Sequence, residues 1–308
     1  MSFDRSTGLS ARLARRPIVV APGVYDALTA LIAERAGFEA LYVSGAAIAY
    51  TRLGRPDIGL VGMSEVAQTV ALIRDRVGTA LIVDADTGYG NALNVQRTVR
   101  ALERAGANAI QIEDQDFPKR CGHLDDKRLV SAQEMAGKIK AAVDARAGAG
   151  TLVIGRTDAV AVEGFDRAMA RAALYREAGA DVLFVEAPRQ RDELARITST
   201  LGASTPLMAN MVEGGKTPIL AAGELEALGF ALVIFPGAIV RTLAKSAEDL
   251  YRTLAAQGTT DPLRARMFDF AGFNALIGTP ELLERGKHYA GAEEQPPGRD
   301  AATTNKSK

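Results

Sequence analysis

"ALIVDADTGYGNALNVQRTVRALERAGANAIQIEDQ" occupies residues 80–115. It opens with a short apolar run, "ALIVDAD" (80–86), that ends in two aspartates. "NALNVQRTVRALERAG" (91–106) then spaces its apolar residues as a helix does and closes on a glycine, the usual helix stop. "AIQIEDQ" (109–115) is a second apolar run ending in acids. Near-continuous apolar character is how a strand covered on both faces reads, so the stretch is a strand, a helix and a parallel strand.

The same pattern recurs on both sides. Six further runs have this form: "PIVVAPG" (17–23), "EALYVSG" (39–45), "LVIGRTD" (152–158), "DVLFVEAP" (181–188), "PLMANM" (206–211) and "ALVIFPG" (231–237). Helical patterns at 24–37 and 165–179 again end on glycine. "AERAGFEALYVSG" and "LERAGANAIQIED" read as one unit used twice. Eight strands alternating with helices predict an α/β fold, a (β/α)8 barrel of the TIM type. A doubly wound open sheet fits less well, because no GxGxxG follows the first strand. Beyond Arg241 the chain reads as helices. The expected organisation is one barrel domain with a C-terminal helical extension over 1–290. The polar, Pro- and Gly-containing tail 291–308 is expected to be disordered.

Composition removes several function classes. Lys plus Arg and Asp plus Glu each number 37 in 308 residues, so the formal charge is zero and no nucleic-acid footprint is present. One cysteine allows no internal disulfide and no thiolate-rich zinc site. No signal-peptide core and no apolar run of roughly 20 residues appear, so no membrane role and a cytoplasmic location are expected.

In a barrel of this kind chemistry sits at the carboxyl ends of the strands. Those ends are Ser44-Gly45, Asp84-Ala85-Asp86, Glu113-Asp114, Arg156-Thr157-Asp158, Glu186, Asn210 and Pro236-Gly237. Asp84 and Asp86, two apart on a strand, are expected on one face. With Glu113 they make a hard, oxygen-rich donor set that suits Mg²⁺, or Mn²⁺, rather than zinc. The lone Cys121 lies in "FPKRCGHLDD" (117–126), a polar loop beyond the fourth strand. Lys119, Arg120 and His123 are expected to lower its pKa from about 8.5. A thiol tuned in this way can move a proton. Gly122 would let the backbone approach a ligand closely. No GxSxG elbow supports a serine hydrolase.

"VDADTGYGN", "IEDQDFPKRCGH", "VIGRTDA", "FVEAP" and "MANMVEGGKTP" occur in order, and together they resemble the isocitrate lyase/phosphoenolpyruvate mutase superfamily over Val19–Tyr289. The cysteine loop is similar to that of its carbon–carbon lyase branch, the 2-methylisocitrate and 2,3-dimethylmalate lyases. The resemblance implies Asp84 as the most direct Mg²⁺ ligand, with Asp86 and Glu113 in support. It implies Asp57 near the metal, Ser44, Gly45 and Ala46 as a substrate cradle, and Arg156 as a carboxylate clamp. Glu186 and Asn210 would complete the substrate shell, and Arg241 matches a further carboxylate-binding arginine. The implied reaction is cleavage of a 2-hydroxy di- or tricarboxylate to pyruvate and a second carboxylate. Cys121 would protonate the departing carbon, and Tyr42 is a candidate base. "SGAAIAYTRLG" and "FNALIGTPELL" favour a branched malate over a tricarboxylate. Oxaloacetate decarboxylation and phosphonate-forming mutation are the alternatives on this scaffold, with a non-catalytic binding barrel behind them. The resemblance also implies a homotetramer in which the last barrel helix swaps between subunits.

Overall fold

The computed structural model describes residues 8–124 and 126–290. All eight expected strands form: β1 Val19–Val24, β2 Ala40–Val43, β3 Ala80–Asp84, β4 Ala109–Glu113, β5 Leu152–Thr157, β6 Val182–Val185, β7 Leu207–Asn210 and β8 Leu232–Phe235. Each pairs in parallel with its neighbour, and β8 closes on β1 through Val19–Leu232 and Pro22–Phe235. The open sheet is therefore excluded.

Two apolar layers explain the unbroken apolar runs. One face of each strand packs inward, where Tyr42, Ile82, Ile154, Phe184 and Ile234 share the lumen with Leu9 and Leu13 of helix Gly8–Leu13. The alternate residues, such as Leu41, Leu81 and Ile110, face the surrounding helices. Helix Ala92–Ala105 shows how that ring is built. Asn91 caps it by accepting from Leu93 and Asn94 backbone N–H groups. Val95, Thr98, Val99 and Leu102, one helical stripe, are buried against the sheet. Gly106 ends it at φ 105°, a conformation that disfavours a side chain.

The chain divides into two compact units, the break falling after Ser246. The first holds the barrel strands. The second includes helices Phe270–Ile277 and Thr279–Ala290, the extension expected beyond Arg241. The tail 291–308 lies outside the described residues. Among those described, no helix is long and apolar enough to cross a membrane.

Candidate active site

The strand ends converge as expected. Tyr42, Ser44, Ala46, Asp57, Asp84, Glu113, Cys121, Gly122, His123, Arg156, Glu186 and Asn210 line one cavity of about 50 Å³. Gly45 backs it: a side chain there would stand 3.3 Å from both Asp84 Oδ2 and Asp86 Oδ1. Ser44 caps the short helix Gly45–Ile48 by accepting from Ala47 N at 3.2 Å. Arg241 is not among the cavity's lining residues. It is exposed and donates to Glu213.

Asp86 departs from its expected place. β3 ends at Asp84, and Asp86 sits in the following turn at φ 47°. Its carboxylate still returns to the Asp84 side, where Asp86 N donates to Asp84 Oδ1 at 3.2 Å. A cation of the chain's own meets it there. Lys119 Nζ lies 2.7 Å from Asp86 Oδ1 and 2.5 Å from Asp57 Oδ1, almost wholly buried. Burial opposes that ammonium, but Asp86 and Asp57 outweigh it and raise its pKa. Asp86 and Lys119 also line a neighbouring cavity of about 520 Å³.

Does this donor set fit Mg²⁺? Asp84 and Glu113 offer only oxygen, as the ion requires. Glu113 Oε1 is buried with no hydrogen-bond partner, a costly arrangement unless something binds there. Burial raises Glu113 well above its ordinary range, against the pull of Arg156, so a cation is wanted beside it. Among the described residues, no three Asp, Glu, His or Cys side chains already form a metal cage. The site fits an ion held by one or two carboxylates and completed by water or substrate.

The loop after β4 covers this site and is tied down at several points. Gln115 both donates to Arg120 O and accepts from Arg120 N, at 2.8 and 2.9 Å. His123 Nδ1 accepts from Lys216 N at 3.0 Å, and its Nε2 stands 3.2 Å from Glu186 Oε1. Lys127 Nζ donates to Gly122 O and to Asp158 Oδ1. Asp158 also takes the Nε and NH2 of Arg156, at 2.9 and 3.1 Å. Burial pushes the Asp158 carboxyl up, but Arg156 and Lys127 reverse this and hold it at about 2. The guanidinium fork is thus turned to Asp158, with Glu113 3.2 Å and Glu186 3.6 Å away. Gly122 sits so close above it that a Cβ would fall 2.5 Å from Arg156 NH2.

Lys127 is therefore a latch. A hydrogen bond to a charged group contributes about 1.5–3 kcal/mol. Lys127→Met should thus raise the iodoacetamide alkylation rate of Cys121 about 10- to 100-fold, by opening the loop. An unchanged rate would remove the latch.

Cys121 itself differs from expectation. Its pKa is raised, chiefly by burial, with Asp57 and Glu186 adding to the effect. Local counting of cations failed because Lys119 is spent on Asp57 and Asp86, while Arg120 turns to Asp126. Burial also lowers the His123 pKa, which leaves the ring neutral near pH 7. The thiol thus stands protonated at the cavity wall. Its alkylation should climb with pH along a curve displaced above the free-thiol midpoint of about 8.5, since only the thiolate reacts. A midpoint below that value would contradict the burial argument. Tyr42 is also corrected. Burial, then Asp84, raises its phenol well above the ordinary range, and its OH donates to Gln111 Oε1 at 3.1 Å. It keeps its proton and is no ready base.

Sequence reasoning missed Gln111, Lys127 and the role of Asp158. It also left Asp114 without a job. That carboxylate accepts from Thr157, Tyr175 and Asp158 N at 2.7–2.9 Å and braces β4 to β5 behind the site. A buried Gln two positions before Glu113 on the same strand face was the one available signal for Gln111.

The phosphoenolpyruvate phosphomutase family model matches residues 9–255. The chain is 44% identical over 278 residues to 2,3-dimethylmalate lyase of Eubacterium barkeri, covering 90% of this chain and 96% of the relative. It is 48% identical over 271 residues to a 2-methylisocitrate lyase of Aeropyrum pernix, covering 88% and 86%. A crystal structure of 2,3-dimethylmalate lyase, described as a PEP mutase/isocitrate lyase superfamily member, superposes with a TM-score of 0.87 at 36% identity. It covers 96% of this chain and 99% of that one.

Proposed function

Because the chain belongs to the phosphoenolpyruvate mutase/isocitrate lyase superfamily, we propose that its covered rim cleaves a branched 2-hydroxy dicarboxylate of the 2,3-dimethylmalate type to pyruvate and a second carboxylate. The chain is a carbon–carbon lyase. The observation that carries the specific reading is Cys121, a half-buried protonated thiol lining the same cavity as Asp84, Arg156 and Asn210.

Mg²⁺, or Mn²⁺, held by Asp84 with Glu113 in support and Asp86 through water, would supply Lewis-acid polarisation of the hydroxy acid. The chain's own residues do the rest. Glu186, whose buried Oε1 holds no hydrogen bond, takes the hydroxyl proton, and the C2–C3 electron pair leaves on C3, giving pyruvate and a carboxylate-stabilised carbanion. Arg156 supplies positive charge beside it, and Asn210 Oδ1, buried without a partner, is free to receive a donor. Asn210 is itself oriented by donating to Glu186 Oε2 at 3.0 Å. Cys121 gives its proton to C3, so the product fragment becomes a saturated carboxylate. The tied-down loop excludes water from the carbanion.

Two observations favour a branched dicarboxylate. Val212, Ile234 and Pro236 give the cavity aliphatic walls suited to methyl groups. Arg241, the cation implied for a further carboxylate, points to Glu213 instead. A 2-methylisocitrate reading is kept by the 48% identity to a lyase of that name. Pyruvate release measured over a panel of malates and citrates separates the two. Release from neither class would end the proposal.

A homotetramer in a reducing, cytoplasmic setting is part of the reading. Phe268, Phe270, Leu283 and Tyr289 of the second unit are 64–89% exposed, apolar surface that a partner subunit would cover. Solution mass measurement decides the count of subunits.

A further inference from the structure

We propose that Gln111 is a positioning residue that aims Asp84 at the metal and fixes the direction of the Tyr42 proton. Gln111 is fully buried on β4, with its Cα paired across the sheet to that of Asp84. Its Nε2 donates to Asp84 Oδ1 at 3.2 Å, and its Oε1 accepts from Tyr42 OH at 3.1 Å. The chain of donors has only one consistent order. Asp84 Oδ1 already accepts from the Asp86 backbone N–H, so it is an acceptor and the amide NH₂ must face it. The amide carbonyl then faces Tyr42, and the phenol must donate. Tyr42 turns lone pairs, not a proton, towards the cavity that it lines.

The same order divides the two oxygens of Asp84. Oδ1 receives Gln111 Nε2 and Asp86 N, both at 3.2 Å. Oδ2 is left facing Gly45, whose missing side chain leaves it room, with Asp86 Oδ1 beside it. Gln111 thus holds one oxygen so that the other is presented to a ligand. Such outer partners of a metal-binding carboxylate fix its orientation and tune affinity. A hydrocarbon at 111 would free Asp84 to rotate and strand the Tyr42 hydroxyl.

This rests on Asp84 being the metal ligand, and the experiment separates the two claims. Mn²⁺ binding to the full-length protein is titrated by electron paramagnetic resonance for wild type, Gln111→Met, Gln111→Asn and Asp84→Ala. Loss of the outer partner should weaken Mn²⁺ about 10- to 100-fold in both Gln111 variants. Saturating Mg²⁺ should restore most of the turnover of Gln111→Met, a recovery that a merely structural defect would not give. Asparagine is one methylene too short to span both partners, so it serves if the methionine variant does not fold. A folded Gln111 variant that binds Mn²⁺ like wild type overturns the proposal. An Asp84→Ala protein that still binds Mn²⁺ like wild type overturns the metal assignment beneath it.

Discussion

Cys121→Ala should lower kcat by about 10²–10⁴-fold, the usual contribution of a positioned proton donor, while KM changes little. The thiol is raised above its ordinary pKa, so near neutral pH it carries the proton that a carbanion needs. A thiolate, the form expected from the neighbouring cations, would have nothing to donate. The side chain lines the cavity, and its sulfur accepts from the His123 backbone N–H within the same loop rather than from a strand, so its removal should cost chemistry rather than folding. KM should hold because Asp84, Arg156 and Asn210 are untouched. A Cys121→Ala enzyme with wild-type kcat would move the proton-donor role elsewhere. His123, kept neutral by burial and standing 3.2 Å from Glu186, would be the next group to test.

Asp84→Ala should be at least as severe. A Lewis-acidic ion contributes several kcal/mol of transition-state stabilisation, which is about 10³-fold or more at 1.36 kcal/mol per decade. The damage should extend to the apo protein. Removing Asp84 takes away the acceptor for Gln111 Nε2 and for Asp86 N at the carboxyl end of the strands. Asp84→Asn keeps the size and one acceptor, so it should fold better yet still bind metal poorly. Steady-state kinetics across Mg²⁺ concentrations, beside melting curves of the apo forms, test both. Activity of Asp84→Ala that needs no more Mg²⁺ than wild type would remove Asp84 from the metal site.

The barrel was legible because each strand is buried on both faces, so its apolar run has no polar alternation to hide it. The rim was legible for the same reason: polarity begins where the strand leaves the packed layers, as at Asp84, Glu113 and Asn210. Asp86 was misread because a two-residue period was extended past the end of β3 into a turn with positive φ. Cys121 was misread because neighbours in sequence were counted as neighbours in field, whereas Lys119 is neutralised by Asp57 from another loop. Lys127 and Asp158 lie 31 positions apart, and nothing local announces that one ammonium will tie the cysteine loop to the end of β5. Gln111 is a polar residue inside an apolar run, and its two partners come from two other strands.

In the proposed reaction Cys121 delivers the proton that ends carbon–carbon cleavage. The most direct measurement is the reaction of 2,3-dimethylmalate with the Mg²⁺-supplemented enzyme in D₂O, followed by NMR of both products. The predicted result is pyruvate together with propionate carrying a single solvent deuteron at C2, at a rate that collapses in Cys121→Ala. Pyruvate and deuterated propionate formed equally fast by Cys121→Ala would contradict it.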